Sequence, residues 1–188
     1  MFHHAQGLTD GVKAFADDLQ SAGHTVHTPD LYEGRTFATT SEGVAHAEQV
    51  GFGTIIGRGR QAAESLPNDI LYLGFSLGVL PAQMLTQTRP GARGAVLCHS
   101  CVPPSEFGSP WPDGVPAQVH MADPDAWAGE DLDAARDLAA TVPTVELFIY
   151  RDVDHLFSDA SLPDYDETAA TLLKERVLAF LDGVRPNS

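Results

Sequence analysis

At 188 residues, 43% hydrophobic and 20% charged, the chain has the size and apolar content of a single soluble domain over 1–188. A formal charge of −15 leaves no basic stripe to displace counterions, so nucleic acid is excluded as a partner. No apolar run reaches the length of a membrane span, and no basic-then-apolar leader stands at the start; no membrane partner is expected, and the cytoplasm is the expected location.

The opening Met1-Phe2-His3-His4-Ala5-Gln6-Gly7 reads as the end of a strand and its turn. Thr9 or Asp10 can cap a helix over 11–22, with Val12, Phe15, Ala16 and Leu19 on one face and Gly23 closing it. A short strand is expected at 24–28, a loop at 31–40, and helices at 41–50 and 54–66 split near Gly51 and Gly53. Residues 69–78 then run apolar into Gly74-Phe75-Ser76-Leu77-Gly78 and on into a helical pattern over 77–88. That order of strand, sharp turn and helix lifts a serine clear of the sheet and aims a helix N-terminus at any oxyanion formed there. Flanking glycines are required because side chains at 74 and 78 would strike the neighbouring strand and helix. Pro81 is tolerated because it falls near the first turn.

Gly94 to Cys98 is a buried strand, and the Pro-, Gly- and Ser-rich stretch 100–116 is a long loop of the kind that carries function. Cys98 and Cys101 straddle a strand end, where they read as buried thiols in a reducing compartment, not as a redox pair. A strand at 117–122, a helix at 130–140, a strand at 144–150, a loop at 151–164 and a helix at 166–182 complete the chain. The last helix is expected to turn Leu172, Leu173, Val177, Phe180 and Leu181 inward. Strands alternating with helices imply an α/β fold, its parallel sheet covered on both faces.

Ligands of such sheets bind beyond the carboxyl ends of the strands. The polar residues that follow strand ends are His3, His4, Ser76, His99, Ser100, Asp123, Asp125, Asp152, Asp154 and His155. Among them a serine, an acid and a histidine occur in the chain order of the α/β-hydrolase arrangement. Ser76 is the candidate nucleophile and His155 the base that takes its proton. Asp125 is preferred over Asp123 as the acid that sets the imidazole tautomer; Asp152 and Asp154 read as solvated loop acids. The N–H of Leu77 and one from the 4–6 turn would hold the oxyanion.

Taken together, several segments resemble the dienelactone hydrolase family over nearly the whole chain. They are His3-His4-Ala5-Gln6-Gly7-Leu8, Pro29 to Arg35, Gly74 to Gly78, His120 to Asp125, Asp154-His155-Leu156-Phe157 and Leu178-Ala179-Phe180-Leu181. The resemblance implies an α/β-hydrolase fold, a mostly parallel sheet with helices on both faces, N-terminally short. It implies hydrolysis of a small ester or lactone through an acyl-enzyme, with no cofactor. It places Ser76, Asp125 and His155 at the triad positions and the amides of Leu77 and Ala5 at the oxyanion hole. The best-known members carry a cysteine where this chain has Ser76, a first-turn glutamate where it has His4, and an arginine where it has Asp159. Arg35 is the remaining candidate for a substrate carboxylate, and His4, Tyr32, Arg35, Trp127 and Phe157 are the candidate pocket residues.

The start is unusual for this fold, because the strand before His3-His4 is interior to the sheet and few residues remain to form it. Either the numbered start falls a few residues late, or the strand is a stub paired over two or three residues. Two rival functions compete with the esterase. One is a non-catalytic binding protein on a hydrolase scaffold. The other is a metal-dependent hydrolase using His4, His99, Asp125 and His155, but no local ligand spacing supports it and no metal is expected. A homodimer is the default assembly.

Overall fold

In the computed structural model, which describes residues 1–184, six α-helices and four β-strands follow one another, with short 3₁₀ turns at Ser76–Gly78 and Pro104–Phe107. Helix α1 spans Asp10–Ser21, α2 Thr40–Val50 and α3 Phe52–Glu64; strand β1 spans Leu71–Phe75 and helix α4 Val79–Thr88. Strands β2 (Gly94–Cys98) and β3 (Ala117–Asp123), helix α5 (Gly129–Thr141), strand β4 (Val145–Arg151) and helix α6 (Glu167–Gly183) complete them. The four strands lie in the order β1-β2-β3-β4, all parallel, as the alternation of strand and helix patterns requires. Among the described residues no helix is long and apolar enough to cross a membrane.

The two-residue period of the strands sorts their side chains into two cores. Tyr72, Ala95, Leu97, Val119, Met121 and Val145 face α2, α3, α4 and α5. Leu73, Phe75, Val96, Cys98, Ala122 and Tyr150 face α1 and α6. Val12, Phe15 and Leu19 of α1 meet Leu173 and Val177 of α6 in that second core, each large apolar side chain contributing about 1.5–3 kcal/mol on full burial. Both cysteines are free and buried.

Local chemistry sets the helix ends. Thr9 caps α1 by accepting the Val12 N–H at 3.3 Å, and Asp166 caps α6 through the Ala169 N–H at 2.8 Å. Helix α2 starts one residue earlier than expected because Thr39 and Glu42 form a capping box. Leu172 departs from expectation: it is 39% exposed, because it stands one residue, about 100° of helix rotation, away from the buried Leu173–Val177 line.

The expected strand at 24–28 is not formed. A cavity of about 840 Å³ lies between residues 24–29 and β1, so this segment lacks a neighbouring ladder along most of its length. The segment is tied by the Met1 ammonium donating to the His27 carbonyl at 2.7 Å and by the His24 N–H donating to Leu19 O at 3.1 Å. Among the described residues the opening segment pairs with β1 through one residue, fewer than the two or three expected of a stub. Phe2 bridges Gly74 in parallel, donating to Leu73 O at 2.8 Å and accepting the Phe75 N–H at 3.1 Å.

Candidate active site

The register aligns Phe75 with Cys98, Cys98 with His120, and Asp123 with Arg151, so the loops after all four strands open on one rim. Ser76 follows β1 at once, at the apex of the turn, with φ of +48°. A serine held in the left-handed region is strained by about 1–3 kcal/mol, a cost the packing around it must offset. The glycines show how tight that packing is. A Cβ on Gly74 would stand 2.2 Å from the Gly78 carbonyl oxygen, and one on Gly78 would stand 2.4 Å from Phe2 O and 2.6 Å from His3 O. The start of α4 therefore touches the His3–Gly7 turn backbone to backbone.

Three side chains from separate loops meet at the rim. Ser76 Oγ lies 2.8 Å from His155 Nε2, and His155 Nδ1 lies 2.7 Å from Asp125 Oδ2. Asp125 Oδ1 accepts the N–H groups of Trp127 at 2.8 Å and Ala128 at 3.2 Å. Burial alone would raise the Asp125 pKa; the hydrogen bonds from His155 and from these two amides outweigh it and hold the carboxyl below its ordinary range. Asp123 faces elsewhere, with Oδ2 3.6 Å from Arg151. Asp152 and Asp154 are exposed.

The pocket candidates divide. Trp127 is 49% exposed beside Asp125, and Arg35 is exposed next to Thr36, which bridges Gly7 of the first turn. Tyr32 and Phe157 do not line an open pocket. Tyr32 is 1% exposed, its hydroxyl donating to Gly43 O at 3.3 Å and its ring edge-on to His3 and His46. Phe157 is fully buried between His99 and Tyr150, each with its ring centroid 4.8 Å away. Both lie in loop segments, yet the chain turns them inward to fill the cores. His4 is likewise closed off, 1% exposed, with Nε2 2.7 Å from Asp159 Oδ2.

The proposed metal ligands do not converge. His4 engages Asp159, His99 Nε2 engages Ser158 Oγ at 2.6 Å, and Asp125 engages His155. Among the described residues no group of three His, Cys, Asp or Glu is placed to hold an ion. The large cavity beyond β1 is also remote from the chemistry. It is lined by Ile70, Leu71 and Arg93 at the amino ends of the strands and by none of Ser76, Asp125 or His155.

Several supports have no local signature in the sequence. Gln83 of α4 donates to Val102 O at 2.7 Å, and Gln87 donates to Pro104 O at 2.9 Å and to Ser109 O, which pins the 100–116 loop. Ser100 donates to Asp131.

Asp159 is 3% exposed, and it accepts from His4, Thr9 and Ser161. Burial opposes its charge, but those hydrogen bonds prevail and lower its pKa from 3.8 to about 2. A depressed carboxyl pKa adds stability that is complete above the unfolded value near 4 and lost as pH falls through about 2. The stability gap between wild type and Asp159→Asn should therefore narrow by about 2 kcal/mol between pH 5 and pH 2. Urea unfolding across that range reads it, and a gap independent of pH would contradict the ionised assignment.

Comparison with known proteins follows the same architecture. A sequence profile of the dienelactone hydrolase family matches residues 1–184. The chain belongs to the dienelactone hydrolase family. Among solved structures, the dienelactone hydrolase-like promiscuous phosphotriesterase P91 from metagenomic libraries aligns at 18% identity and TM-score 0.75, over 97% of this chain and 84% of that one. The protein m3DLH aligns at 20% identity and TM-score 0.79, over 97% and 84%. A protein of the alpha/beta hydrolase superfamily from Xanthomonas campestris pv. campestris aligns at 18% identity and TM-score 0.63, over 97% and 96%. At these identities the structural likeness establishes the α/β-hydrolase fold. A search of curated proteins finds no match. As a dienelactone hydrolase family member, the chain belongs to a family of hydrolases.

Proposed function

We propose that this chain hydrolyses small carboxylic esters or lactones through a covalent acyl-enzyme on Ser76. The observation that carries the reading is the hydrogen-bonded line from Ser76 Oγ through His155 to Asp125, with links of 2.8 and 2.7 Å.

In the first half of the cycle Ser76 Oγ attacks the carbonyl carbon and its proton passes to His155 Nε2. Asp125, already ionised and bonded to Nδ1, stabilises the imidazolium. The tetrahedral oxyanion is held in this reading by the N–H groups of Leu77 and Ala5, a pairing supported by the close approach of Gly78 to the Phe2 and His3 carbonyls just before the first turn. The oxyanion collapses, the C–O bond to the leaving group breaks, and His155 returns the proton to the departing alkoxide. Water then attacks the acyl-enzyme with His155 again as base, which releases the acid and restores the Ser76 hydroxyl. Every proton and electron pair is accounted for without a cofactor. Exposed Trp127, beside Asp125, and exposed Arg35, next to Thr36 that bridges the first turn, are the candidate side chains for substrate beyond the reacting ester.

Two measurements test this together. A fluorophosphonate probe should label folded protein, with the adduct mapping to the peptide that holds Ser76, and a panel of short-chain esters and lactones should include a substrate that turns over. Folded protein that leaves the probe unreacted would instead be a binding protein on a hydrolase scaffold.

A further inference from the structure

The Asp159 carboxylate joins two parts of the chain that the proposed reaction needs in register. On Oδ2 it accepts His4 Nε2 at 2.7 Å, across 155 residues of sequence, and the Thr9 hydroxyl. On Oδ1 it accepts the Ser161 N–H at 2.8 Å and the Ser161 hydroxyl at 2.6 Å. Helix α1 begins against the same carboxylate. A Cβ on Gly11 would stand 1.7 Å from Oδ1, and the Gly11 N–H goes to Ser161 Oγ at 3.1 Å.

The His4 ring is held from both sides. Its Nδ1 accepts the Gln6 N–H at 3.2 Å, so the proton resides on Nε2 and points at Asp159. Ala5 lies between His4 and Gln6, inside the loop that this ring closes, and the Gly7 N–H to His4 O bond of 3.0 Å closes the turn again. At the other end, Asp159 N–H bonds Leu156 O at 3.0 Å and Phe157 N–H bonds Asp154 O at 3.2 Å. His155 therefore sits in the first of two consecutive tight turns, the second of which ends on the residue that carries the carboxylate. One hydrogen bond links the peptide that offers the Ala5 N–H to the loop that carries the base.

We propose that His4 and Asp159 are positioning residues, a buried strut that fixes the Ala5 amide relative to His155 Nε2. The inference rests on the esterase reading above. A mispositioned oxyanion donor costs transition-state binding and little ground-state binding, so its signature is a fall in kcat with KM kept. A purely structural bond would instead lower the fraction of folded enzyme and leave turnover per reactive serine unchanged.

The experiment compares variants with a chromogenic acetate ester, counting active sites by the acylation burst. His4→Met removes both ring hydrogen bonds at similar volume. It should lower kcat per titrated serine about 10–100-fold, with KM within about twofold. His4→Gln places an amide N–H where Nε2–H stood and should recover to within about fivefold of wild type. An unchanged kcat per serine in His4→Met, or a His4→Gln variant as slow as His4→Met, overturns the strut. Should His4→Met not fold, Ser161→Ala replaces it: removing that donor should lower kcat per serine about 3–10-fold, and an unchanged value overturns the proposal. Ser76→Ala, run alongside, separates the two levels. A burst that survives in Ser76→Ala refutes the esterase reading itself, whereas a silent Ser76→Ala beside an unimpaired His4 variant refutes the strut alone.

Discussion

Ser76→Ala should leave the protein folded and lower turnover of a short-chain ester about 10⁴-fold. The stability expectation follows from the elbow. Alanine at φ +48° is strained to the same degree as serine, and the hydroxyl removed is on a partly buried residue with His155 as its hydrogen-bond partner. The kinetic expectation follows from the covalent step, since among the described residues Ser76 Oγ is the hydroxyl bonded to His155 Nε2. What activity remains would come from substrate held against the Leu77 and Ala5 amides while water attacks directly. Circular dichroism and thermal unfolding check the fold, and kcat/KM on the best ester of the panel checks the chemistry. A variant that keeps more than a few per cent of wild-type activity would put the nucleophile elsewhere.

What could be read from the sequence was local or periodic. The elbow is legible because strand, turn and helix are contiguous, and each glycine there answers to a backbone atom nearby: Gly74 to the Gly78 carbonyl and Gly78 to those of Phe2 and His3. The rim position of Ser76, Asp125 and His155 is legible because a parallel sheet sends every strand end to one side. Side-chain direction within a loop has no such rule. Tyr32 and Phe157 lie in loops, yet the backbone turns them into the cores, where burial of a large ring outweighs exposure. The strand at 24–28 shows the opposite failure, for its apolar and β-branched residues suit a strand while the ladder partner along most of its length is a cavity. The His4–Asp159 bond is invisible to any window of sequence because its partners stand 155 residues apart. Gln83 and Gln87 are buried and hold a loop 17 or more residues away, a link no local window of sequence carries.

Asp125→Asn should lower kcat by about 10⁴ while Asp123→Asn stays within about twofold of wild type. The asymmetry follows from which hydrogen-bond donors surround each side chain. Asp125 Oδ1 accepts two backbone N–H groups, from Trp127 and Ala128, so an asparagine there must keep its carbonyl oxygen on that side. Its NH₂ group is then forced to face His155 Nδ1, where Oδ2 stood at 2.7 Å. An amide N–H can only donate, so Nδ1 must accept and the imidazole proton moves to Nε2. Nε2–H cannot take the Ser76 proton, and the histidine is locked in the tautomer that does not work as a base. Asp123, 3.6 Å from Arg151 and partly exposed, touches neither ring nitrogen, so its neutralisation leaves the tautomer alone. A large loss in Asp123→Asn with little in Asp125→Asn would reassign the acid; comparable losses in both would point to the loop as a whole and not to the carboxylate at 125.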